Sequence, residues 1–242
     1  AYEAARRGVA LLGIGAEDAP LRAACSTARA PYVPLPRSRV RHTTLWSLLT
    51  PMLRLAAELE LVPGDVADPD ATAAALDEVA AECGPARESF VNPAKTLALE
   101  LLDALPLIAA EGPLAGAAAA RVPDQRVAAC SVLGGPLARP AEDGFFRDRA
   151  DDPGRRLRLL TIRDTDAGDD GTGEREPRSA SEAVHETLRT ASVNGVPVSG
   201  LAEHGEPERY ARLPRLARQL AVADFSAVYL ALALDAERAR RA

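Results

Sequence analysis

Hydrophobic and polar positions along the chain fall into short apolar runs separated by helical stretches. "VALLGIG" (9–15) is a continuous apolar run closed by glycine, the pattern of a buried parallel strand. "AEDAPLRAACSTARA" then reads as a helix, with Asp18 as its expected N-cap and Pro20 in its first turn. "PYVPLP" is a second extended segment whose prolines suit a sheet edge. "AYEAARRG" before them looks like the end of a helix, so the chain is expected to open within an α/β unit whose first half is incomplete.

After the basic connector "PRSRVRHTT", Thr43 or Thr44 is expected to cap an apolar helix, "LWSLLTPMLRLAAELELV", disturbed near Pro51. "PDATAAALDEVAAEC" is an amphipathic helix with Asp70 as its expected cap. A second alternation follows. "NPAKTLALELLDA" is helical, capped by Asn92 with Pro93 at its first position. "LPLIAAEG", "RVAACSVLG", "LRLLTIRD" and "VPVSGL" are four strand candidates, with the small-residue helix "PLAGAAAAR" after the first of them. "TDAGDDGTGEREPR" reads as an acidic loop, and "SASEAVHETLRTASVNG" as a helix with a Ser179–Glu182 capping box ending near Gly195. The remainder, from Pro207, reads as helix. This order predicts an α/β fold: open parallel sheets flanked by helices, in two subdomains of which the first is incomplete.

Composition narrows the function classes. The 242-residue chain carries a net charge of −6, so nothing favours nucleic acid, which requires a basic face. Cys25, Cys83 and Cys130 are too far apart for a CxxC pair and are expected as reduced, buried thiols, with no metal and no cofactor. Apolar stretches read as too interrupted to span a bilayer, and no signal peptide is visible, so a cytoplasmic protein without membrane partners is expected. Lys95 is the only lysine among many Arg, Ala, Gly and Pro residues, which points to a GC-rich, bacterial genome.

Four stretches carry a family resemblance. "LWSLLTPML" resembles the helix leaving the first domain of the bifunctional phosphoglucose/phosphomannose isomerases of the sugar isomerase (SIS) superfamily. "NPAKTLALELLDALPLIAAEG" resembles the Asn-x-Ala-Lys-x-Leu-Ala helix and the first strand of their second domain. "AAARVPDQ" is similar to their Ala-Arg-x-x-x-Gln helix, and "ADFSAVYLALALD" to their Gly-Asp-x-x-Ser-x-Tyr-Leu-Ala signature, with Ala223 replacing the glycine. The resemblance implies an SIS-type fold divided into a remnant of the first SIS domain (1–40), connecting helices (41–90) and a second SIS domain (91–242). It also implies a homodimer and a hexose-phosphate ligand, of the glucose 6-phosphate, mannose 6-phosphate and fructose 6-phosphate class. Asp224, in the signature, is expected either to cap the last long helix, reinforced by Ser226, or to touch ligand.

Aldose–ketose isomerisation requires a base that moves a proton between C1 and C2, a group that opens the sugar ring and an anchor for phosphate. The family's anchor lies in Ser/Thr-rich loops that would precede residue 1. The family's base, a glutamate shortly after the Arg-x-x-x-Gln helix, matches Ala128 or Ala129 here. Its histidine would fall in "RPAEDGFFRDR", which has none, and its C-terminal lysine is met only by Arg238, Arg240 and Arg241. The resemblance therefore implies an isomerase-like protein with weak or no turnover. The alternative is a non-catalytic SIS module that regulates sugar-phosphate metabolism or serves as a structural dimer subunit.

Other residues compete for these roles. Glu203 and His204, in "GLAEHGEPERY" after a strand, form a candidate base and ring-opening pair, or else a solvated loop. Glu111 and Gly112 follow another strand, where a glycine-bounded helix start could hold an anion, although Glu111 would itself repel phosphate. Arg37, Arg41 and His42, with Arg39, form a basic cluster that either approaches a phosphosugar or is a solvated linker. His185 falls within a helix as a surface or packing residue.

Overall fold

The computed structural model describes residues 2–36, 44–62, 68–102, 104–111, 115–116, 118–119, 131–133, 156–163, 178–201 and 211–241. The chain forms two compact units, residues 1–67 and 68–242.

In the first unit, α1 (Tyr2–Arg6), β1 (Gly13–Ala16), α2 (Pro20–Thr27), β2 (Tyr32–Leu35) and α3 (Thr44–Glu58) follow in order. β1 and β2 form a parallel two-stranded sheet, with Gly13 opposite Tyr32 and Gly15 opposite Pro34. Close approach explains the two glycines. A Cβ on Gly13 would stand 2.5 Å from Cys25 Sγ, and one on Gly15 would stand 2.8 Å from the Tyr32 hydroxyl. That hydroxyl donates to the Ala16 carbonyl at 2.7 Å, locking the ring along β1.

One local expectation fails here. The N-cap of α2 is Ala19, without a side-chain cap, rather than Asp18; Pro20 at the first position sets the helical φ by itself. α3 runs unbroken through Pro51, whose missing N–H forfeits one helical hydrogen bond without ending the helix. α3 begins at Thr44, while Thr43 lies outside the described residues.

The second unit contains α4 (Pro69–Cys83), a 3-10 turn (Ser89–Val91), α5 (Pro93–Leu101), β3 (Ala104–Glu111), β4 (Ser131–Leu133) and β5 (Arg156–Arg163). It closes with α6 (Arg178–Val193), β6 (Val198–Gly200) and α7 (Arg212–Arg241). Asp68, not Asp70, caps α4: its carboxylate accepts from the backbone N–H groups of Asp70 and Ala71, because Pro69 takes the first helical position. Asn92 caps α5 as expected, accepting from Lys95 N at 3.0 Å while its amide donates to the Gly84 carbonyl. α6 starts at Arg178, so Ser179 is already inside the helix rather than at its cap. Its C-terminal end is closed by Gly195 at φ +65°, a conformation that costs glycine nothing.

The four strands are parallel and lie in the order β4-β3-β5-β6. β3 and β5 pair over their full length, from Ala104 opposite Arg156 to Glu111 opposite Arg163. Alternation divides their residues between two faces. Leu107, Ala109 and Leu159 form one face and pack with Val184 and Ala191 of α6. Ile108, Leu160 and Ile162 occupy the other face and are also buried. Such side chains contribute about 1.5–3 kcal/mol each when fully buried.

α7 departs most from expectation. Asp224 does not cap a helix, because the helix begins at Arg212 and carries Asp224 in its interior. Ser226 donates to the Val222 carbonyl one turn back rather than reinforcing a helix start. The joined stretch Arg212–Ala236 is, by length and composition, apolar enough to cross a membrane, which the interrupted sequence pattern did not suggest. In this fold it packs against α4 and α5. Arg218, almost wholly buried, donates to Glu78 at 3.2 Å and to Glu82 at 2.9 Å, and Tyr229 donates to the Cys83 carbonyl at 2.6 Å.

Candidate functional site at the carboxyl edge of the second sheet

In an open parallel sheet, crossovers that leave a strand in opposite directions open a crevice beyond the strands' carboxyl ends. From β3 the chain passes to β4 on one side and then to β5 on the other, so the reversal falls between β3 and β5. The last residues of those strands are Glu111 and Arg163, in-register partners. β6 ends on the same edge at Gly200.

Of Glu111, Gly112, Arg37, Arg41, His42, Glu203 and His204, Glu111 alone falls among the described residues, as the terminal position of β3. Gly112, Arg37, Arg41, His42, Glu203 and His204 lie outside the described residues, as do Ala128 and Ala129. His185 is exposed on α6. Asp224, half-buried in the middle of α7, belongs to the helical packing of the second unit.

At the amino half of the same sheet lies a polar cluster that local pattern reading missed. Arg158 Nη1 donates to Glu100 Oε2 at 3.0 Å and to Ser199 Oγ at 2.8 Å, and Ser199 Oγ donates to Glu100 Oε2 at 2.5 Å. It ties α5 to β5 and β6. It lies toward the amino end of β5, so it braces the scaffold instead of lining the carboxyl edge. An arginine inside an apolar strand was the available signal, but the identity of its partners is a tertiary fact.

Perturbed titrations lie elsewhere. Burial pushes the Cys83 thiol upward, partly offset by a hydrogen bond from the Ala94 backbone. Hydrogen bonds from Arg6 and Arg7 lower Glu3, and one from Arg189 lowers Glu186, both on exposed helices. Among the described residues, no group of three His, Cys, Asp or Glu side chains is placed to hold a metal ion. The first unit has an open pocket of about 400 Å³ lined by Leu12, Ile14, Leu21, Met52, Leu55 and further aliphatic side chains. Its lining offers a phosphorylated sugar no polar partner.

No protein-family model matches the chain, and no curated protein matches it. Among solved structures it is similar to the crystal structure of a glucose-6-phosphate isomerase like protein from Thermus thermophilus. The match has 23% sequence identity and a TM-score of 0.50, covering 92% of this chain and 72% of the other. That likeness extends the α/β architecture, with parallel sheets flanked by helices, to a solved fold.

Proposed function

We propose that this chain is a sugar-phosphate isomerase-like SIS protein that binds a hexose phosphate of the glucose 6-phosphate, mannose 6-phosphate and fructose 6-phosphate class. The observation that carries this reading is the shared fold with a glucose-6-phosphate isomerase like protein over 92% of the chain. The strand order supports it, since ligands of open parallel sheets bind beyond the carboxyl ends of strands at such a switch point. In this reading the second SIS domain spans residues 91–242, the connecting helices 41–90 and the remnant of the first domain 1–40, and the protein acts as a cytoplasmic homodimer.

Catalysis is weak or absent in this reading. Proton transfer between C1 and C2 requires a base within hydrogen-bond reach, and Ala128 and Ala129 have only methyl groups. Loss of a general base costs about 10²–10⁴-fold in rate. Glu203 and His204, shortly after β6, are the replacement pair: Glu203 as the proton-shuttling carboxylate, His204 as the ring-opening group. The reaction is an internal proton transfer and draws on no cofactor. A non-catalytic hexose-phosphate module is the second reading, favoured by the same two alanines and by the missing histidine in "RPAEDGFFRDR".

A panel of hexose phosphates in a thermal-shift assay tests binding. Ligand at 100 times its dissociation constant stabilises the native state by about 2.7 kcal/mol. A coupled assay with glucose 6-phosphate and mannose 6-phosphate tests catalysis, with Glu203→Gln as the comparison. Slow turnover abolished by Glu203→Gln supports the replacement base, and binding without turnover supports the non-catalytic module. The absence of any hexose-phosphate stabilisation defeats both.

A further inference from the structure

We draw no further inference here: the strongest candidate, the open aliphatic pocket of the first unit lined by Leu12, Ile14, Leu21, Met52, Leu55 and Leu59, is an apolar surface, and nothing in the structure shows what covers it.

Discussion

Ser199 and Glu100, separated by 99 residues, meet through a 2.5 Å hydrogen bond in which the hydroxyl donates to the carboxylate, while the Arg158 guanidinium donates to both. The cluster is partly shielded, with Arg158 exposing 20% of its side chain and Glu100 36%. It joins the helix that enters the second sheet to the sheet's last strand, so its members are expected to act as a unit. Ser199→Ala should cost about 1–2 kcal/mol, within the range for hydrogen bonds to charged groups after allowance for partial exposure. Urea denaturation of Ser199→Ala, Glu100→Gln and the double variant checks this. Strictly additive losses would show that the bond contributes nothing of its own.

Asn92 is fully buried and bonds two backbone groups at once, the Lys95 amide and the Gly84 carbonyl. Asn92→Ala removes the cap of α5 and leaves the Gly84 carbonyl without that donor. The expected loss is about 1–3 kcal/mol, read as a lower denaturation midpoint at unchanged slope. Asn92→Asp should restore the cap but not the donor, so it should fall between the two.

Cys83 gives the chain a pH dependence at the alkaline end. Burial raises its thiol pKa in the folded state, so the folded chain holds the proton more tightly than the unfolded chain does. The stabilisation is fully present below the unfolded thiol pKa, about 8.5, and is lost as pH rises through the folded value. Stability should therefore fall from about pH 8.5 upward, with a limiting slope of about 1.4 kcal/mol per pH unit. Cys83→Ala should flatten the curve in that window. A variant with the same alkaline slope as wild type would assign the effect to other groups.

Gly13 should resist any side chain. A methyl group there would meet Cys25 Sγ at 2.5 Å and Tyr32 Cδ2 at 2.7 Å, both in the packed interior of the first unit. Gly13→Ala should destabilise that unit by about 1–3 kcal/mol. The double variant Gly13→Ala/Cys25→Ala should recover part of the loss by removing the nearer clash, as thermal melting would show.

Local pattern determined much of this chain. The apolar run "LPLIAAEG" could satisfy its backbone and bury its side chains only as an inner strand, and Asn92-Pro93 marks a helix start in any context. Hence the α/β class, β3, β5 and the α5 boundary were legible, since each depends on residues a few positions apart. The caps of α2 and α4 were misread by one or two residues because acidic residues lay within reach of each start, while the proline at the first helical position fixed the boundary, leaving Ala19 at one cap and Asp68 at the other. α7 was misread because Asp224 interrupts an apolar pattern but not a helix: one polar residue costs little where neighbouring helices bury the turns on either side. The pairing of Glu111 with Arg163, the Glu100–Ser199–Arg158 cluster and the burial of Arg218 between two carboxylates lay beyond any local reading. Those relationships join segments tens of residues apart, and only strand order and helix packing decide which charges become neighbours.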